Sequence, residues 1–172
     1  MPGLLRSALV AALAATLAGT PARATSERTA AAAAPNPIAV LADAPIVIDG
    51  KLDERTWEQA PVIREFVQRE PAEGLAPSYA TEARIAFDSD ALYVALRALD
   101  TEPDRIVGIL TRRDQQSPSD WVKVIVDSYF DHRSAYEFAV NPVGVKRDRY
   151  YYNDGPSDDS WDAVWDVQVG RD

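Results

Sequence analysis

DWVKVIVDSYFDHRSAYEFAVN, residues 120–141, holds two alternating apolar runs around a polar turn. In the first run Val122, Val124 and Val126 share one face of a strand and Lys123, Ile125 and Asp127 the other. In the second, Tyr136, Phe138 and Val140 alternate with Glu137 and Ala139. Period-two alternation of β-branched and aromatic residues, broken by Asp, Ser, His and Arg, predicts strand–turn–strand. The expectation is a central antiparallel hairpin with its valine and aromatic face in the core.

The same grammar extends outward on both sides. Residues 83–87 and 92–96 alternate around the turn Asp88-Ser89-Asp90, a second hairpin. Upstream, residues 46–48 and 62–67 read as strands. Between them, Asp53 is placed to cap a short helix, with Leu52 and Trp57 as its hydrophobic staple, so Trp57 is expected buried. One helical turn is expected at Pro103, and residues 115–119 form a loop. Downstream, residues 141–144 (NPVG) turn the chain into residues 145–152 (VKRDRYYY), which carry charge on both faces and are expected at a sheet edge or groove. Residues 153–162 form an acidic loop, and residues 163–169 a last amphipathic strand. At least seven short strands and one short helix predict an all-β fold, an antiparallel β-sandwich.

The chain has 172 residues, a formal net charge of −9, a pI near 4.6 and no cysteine. A nucleic-acid backbone is therefore excluded as a natural partner, as are disulfide, thiolate and zinc-thiolate chemistries. Arg6, the apolar run 8–18 and Ala22-Arg23-Ala24 read in order as a secretory signal peptide, residues 1–24, too short to span a bilayer, which takes roughly 20 residues. Export to periplasm, outer membrane or medium follows from that reading. Removing 1–24 takes away Arg6 and Arg23 and no acid, leaving 16 basic against 27 acidic residues, a formal −11. Residues 25–42 read as a low-complexity linker, and residues 43–172 as the folded domain.

Two residue sets carry candidate chemistry. Arg112, Arg113, Asp114, Asp120 and Trp121 combine charged forks, carboxylates and an aromatic face, the types that recognise sugar hydroxyls and ring faces; the same types also make Arg–Asp loop clamps. Asn153, Asp154, Asp158, Asp159 and Asp162 supply oxygens for a hard cation such as calcium, or a solvated acidic loop. Asp127 with Asp131 is a lesser calcium candidate. Trp161, where loop meets strand, is the better sugar platform, whereas Trp165 falls in register with Val167 as core. Tyr150, Tyr151 and Tyr152 alternate faces, so at most two share a surface. His132 reads as a surface turn residue, because Asp131, His132 and Ser134 are too close in sequence to converge as a triad. A glycosidase needs two carboxylates at set separation, and 27 acids nominate no pair.

IDGKLDERTWEQA (48–60), DSDALYVALRALD (88–100), RRD (112–114) and the run from SDWVKVIVDS to AYEFAVNPVGVKRD (119–148) together resemble the family 9 carbohydrate-binding modules. More narrowly they resemble the version at the N-terminus of bacterial envelope proteins that end in an outer-membrane barrel. The resemblance implies a jelly-roll β-sandwich with structural calcium, a xylan- or cellulose-like ligand, and last strands beyond residue 170. Sugar-binding members place a tryptophan just before the strand that here starts at Asp120; Ser117, Pro118 and Ser119 stand there instead. The function expected is a secreted, non-catalytic carbohydrate-binding module. Its alternatives are a periplasmic docking domain of a barrel protein, or a glycoside hydrolase fragment.

Overall fold

The computed structural model describes residues 37–171; the expected signal peptide and most of the linker lie outside the described residues. Among the described residues are seven strands, one α-helix and one 3-10 turn. Strands β1 (Ala39–Leu41), β2 (Thr81–Phe87) and β3 (Leu92–Ala98) form one sheet in that order. Strands β4 (Val122–Val126), β5 (Ala135–Val140), β6 (Lys146–Tyr151) and β7 (Ser157–Asp158) form the other. The protein is all-β in two sheets. No helix among the described residues is long and apolar enough to cross a membrane.

The central hairpin forms as expected, with Val122, Val124 and Val126 opposite Val140, Phe138 and Tyr136. Its valine and aromatic face is only half-buried, however, and the buried residues of β5 are Glu137 and Ala139 on the other face. The second hairpin pairs Phe87 with Leu92 through Thr81 with Ala98, and Asp88 closes its turn by accepting the backbone N–H groups of Asp90 and Ala91.

Several expectations are corrected. The helix α1 (Arg55–Gln59) is capped at Glu54, not Asp53, and no side chain caps it. Its Trp57 is buried all the same, 5% exposed, against Ala60, Ala86 and Ala95, with Val40, Ile46 and Tyr93 around them. Residues 46–48 form no strand, and residues 62–67 contribute only a bridge, Ile63 to Ala83. The strand that does pair with β2 is β1, ahead of the expected boundary at 43, and it runs parallel, so the sheets are not wholly antiparallel. Three residues of extended chain suffice there because β2 offers a free edge, a tertiary cue that local alternation does not carry.

β6 is not an edge strand: it lies between β5 and the two-residue β7. Residues 163–169 alternate between half-buried and exposed as a strand would, yet they join no sheet. They form a strap across β5 and β6 that ends where Gly170 meets the carbonyl of Gly50. That approach leaves no room for a Cβ at 170, which is what requires glycine there.

Candidate functional site

The sheet of β4–β7 has two unlike faces, and the alternation of its strands sorts the chemistry between them. On one face, Glu137 is 1% exposed, and its carboxylate accepts from Arg147 Nη2 at 2.8 Å and from the Tyr151 hydroxyl at 2.8 Å. Lys123 Nζ lies 3.6 Å away, and the Arg147 guanidinium sits over Trp121, 5.2 Å from the ring centroid. Burial pushes the Glu137 carboxyl up, but the bonds from Arg147 and Tyr151, with Lys123 beside them, outweigh it and hold the group below the ordinary range. Burial and the bond to Glu137 raise the Tyr151 phenol.

On the other face, buried Asp148 gathers the strap. It accepts from Arg113 Nη2 at 2.7 Å, from the Ala163 N–H at 2.5 Å and from Trp165 Nε1 at 3.4 Å. Burial raises its carboxyl, and these donors more than reverse that, leaving it below the ordinary Asp value. Lys146 donates to the Trp165 carbonyl and lies over the Trp165 ring. Arg113, Lys146 and the strap residues Asp162, Ala163, Val164, Trp165 and Asp166 line a cleft of about 300 Å³.

The first expected site is therefore divided. Arg113 and Asp114 belong to the Asp148 clasp, with Arg113 also 2.5 Å from Asp162 and Asp114 accepting from the Asp148 N–H at 3.2 Å. Trp121 lies with Arg147 and Glu137 on the opposite face, its indole N–H donating to the Ser117 carbonyl. Asp120 pins residue 107, accepting from the Val107 N–H at 2.9 Å. Arg112 is exposed. The Arg–Asp loop clamp describes this group better than one ligand surface does.

The second expected site is dispersed as well. Asn153 and Asp154 have positive φ and form the turn, where Asp154 pairs with Arg133 at 3.8 Å. Asp158 accepts from the Ser160 backbone and hydroxyl, and Asp159 pairs with Arg149 at 2.6 Å. Asp127 and Asp131 spend their oxygens on backbone N–H groups of residues 131–134. Among the described residues, no three His, Cys, Asp or Glu side chains group as they would around a metal ion.

What the structure does assemble is an aromatic row beside the clasp. Tyr152 stacks on Tyr150 at 6.0 Å between centroids, and Tyr150 on Tyr136 at 5.0 Å. Trp161 tilts over Tyr136 at 4.8 Å, and Phe138 meets both Trp161 and Trp165 edge-on. Trp161 is thus half-buried within the row, and Tyr150 and Tyr152 share one surface while Tyr151 faces away. The β4–β5 turn extends the row into solvent. The Tyr129 phenol lies near Tyr136 and, after burial, helps raise that phenol above its ordinary value, and Tyr129 and Phe130 are 70% and 79% exposed. Sequence reasoning passed over these two; their signal was an aromatic pair inside an otherwise polar turn, SYFDHR. No protein-family model, curated protein or solved structure matches the chain.

Proposed function

We propose that the chain is a non-catalytic carbohydrate-binding module, a jelly-roll β-sandwich exported to the cell envelope, and that it engages a polysaccharide along the aromatic row. The observation that carries this reading is the run of rings Trp161, Tyr136, Tyr150 and Tyr152, beside a turn whose Tyr129 and Phe130 are strongly exposed. Aromatic faces suit the apolar faces of sugar rings, and phenol hydroxyls both donate and accept to sugar hydroxyls. A preformed surface of this kind needs little reordering on binding.

The test is titration of the purified chain with xylan, cellulose, chitin and peptidoglycan fragments, with and without a chelator, folding being checked by circular dichroism. Saturable binding to a glycan, weakened by Tyr129→Ala or Tyr152→Ala, is expected. A folded chain that binds none of them overturns the reading. It would promote a second one, a docking domain of an outer-membrane barrel protein, which an apolar corner favours: Leu41, Phe87 and Leu92 lie side by side across β1–β3 and are 66%, 40% and 54% exposed.

A further inference from the structure

We infer that the ligand of the aromatic row carries ammonium groups: an amino-sugar polymer lies along Tyr129, Tyr136, Tyr150 and Tyr152, with Asp158 facing its positive charge. This rests on the glycan-binding reading above and narrows it, away from the neutral xylan or cellulose that the sequence resemblance implies.

Three observations lead there. The first is the loop between β4 and β5. Asp127 accepts the N–H groups of Asp131 and His132, and Asp131 those of Arg133 and Ser134, so residues 127–134 are held in one shape. Phe130 and His132 sit at φ of 52° and 56°, a region that side chains occupy at a cost. A turn tied down in this way still displays two large aromatic rings to water at the end of a tyrosine stack. Burial explains neither ring.

The second observation is register. Asp158 stands directly opposite Tyr150 in the β6–β7 ladder, so its carboxylate shares the face of the tyrosine row. It is exposed, and two donors from Ser160 favour its charged form. An anion beside electron-rich rings is the pairing that receives a cation while the rings hold the apolar parts of the same ligand.

The third observation is where the neighbouring cations are spent. Arg133 pairs with Asp154, Arg113 with Asp148 and Asp162, and Lys146 with the Trp165 carbonyl and ring. Each already has an acidic or carbonyl partner within the chain, and the net charge of −9 disfavours an acidic polymer.

The experiment titrates the purified chain with chitosan oligomers, with the same oligomers fully N-acetylated, and with polylysine of matching charge, following tyrosine and tryptophan fluorescence at pH 6. The expected result is binding of the amino form about tenfold tighter than the acetylated form. Salt should shrink that ratio. Asp158→Asn keeps the oxygen that accepts from Ser160 and should bring the ratio to about one. Tyr129→Ala and Tyr152→Ala should weaken both forms together. Equal binding of the two forms, or a ratio that survives Asp158→Asn, overturns the ammonium inference and leaves glycan binding standing. Polylysine competing as well as chitosan shows that charge alone is read and overturns the sugar polymer. No binding of either oligomer, with the near-ultraviolet circular dichroism of a folded protein, overturns this inference, and the broader reading falls with it only if xylan, cellulose and peptidoglycan fragments also fail to bind.

Discussion

The β1–β3 sheet closes its helix-covered face with Trp57, Ala60, Ala86 and Ala95, whereas the β4–β7 sheet buries Glu137, Arg147 and Asp148. In the first, stability comes from apolar area taken out of water, a non-directional gain that tolerates imprecise geometry. In the second, each buried charge would be costly alone and is admissible only because its partners satisfy it. The row of aromatic rings and the strap both sit on the second sheet. Geometry there is fixed by directional bonds, which suits a surface that must hold rings and carboxylates at set positions.

The comparison breaks first at Trp57. Replacement by alanine empties the one large side chain that joins α1 to the sheet and should cost about 3–5 kcal/mol in urea unfolding. A loss below about 1 kcal/mol would mean that the helix-covered face is not the apolar anchor described here.

Arg147→Met comes next. It strands the Glu137 carboxylate with only Tyr151 and Lys123, so the expected loss is about 3 kcal/mol, the low end for breaking a buried pair. The double variant Glu137→Met with Arg147→Met removes both charges and should recover most of that loss. If the double variant is as unstable as the single, then what matters on this face is shape and not charge satisfaction.

Acid tests the buried charges of the second sheet in a third way. Glu137 and Asp148 both titrate below their ordinary range, the first held there by Arg147 and Tyr151 against its burial, the second by Ala163, Arg113 and Trp165 against its own. A depressed carboxylate contributes stability that is complete above its unfolded pKa and disappears as pH falls through its folded one. The melting temperature should therefore fall steeply below the ordinary carboxylate range. Glu137→Gln should start lower at neutral pH and fall less on acidification. Identical slopes for the two proteins would show that Glu137 is not a source of the acid sensitivity.

How much of this could be read from the sequence follows the same division. The hairpins were legible because valines, tyrosines and phenylalanines alternate at period two, and Trp57 because Leu52 before the helix and Trp57 within it are spaced as a hydrophobic staple. The helix boundary slipped by one residue because Asp53 and Glu54 both suit a cap. β1 was hidden because its pairing with β2 is forty-odd residues distant in sequence and only three residues long. In the run VKRDRYYY, charge on both faces argued for an edge; it could not announce that Glu137, on another strand, and Arg113, on a loop, would neutralise it inside the sheet. For the same reason Arg113 and Trp121, a few residues apart, looked like one site and proved to belong to opposite faces. Tyr129 and Phe130 were visible as letters but not as exposed rings, since the Asx-type bonds that hold their turn depend on where the Asp127 and Asp131 oxygens point.

The smallest expected effect is at Arg64, which meets Glu82 at 2.7 Å beside the first sheet with its own side chain 60% exposed. The distance is shorter than the 2.8 Å between Arg147 and Glu137, so contact length alone would rank the Arg64 pair as the stronger. Burial reverses that order. Water screens the exposed guanidinium before and after folding, and Glu82 keeps Arg84 at 3.5 Å when Arg64 is removed. Arg64→Ala should therefore change stability by no more than about 0.5–1 kcal/mol, and added salt should narrow even that difference. Equal losses for Arg64→Ala and Arg147→Met would mean that the second sheet's charges stabilise it no differently from surface ones, and the contrast between the two sheets would reduce to composition.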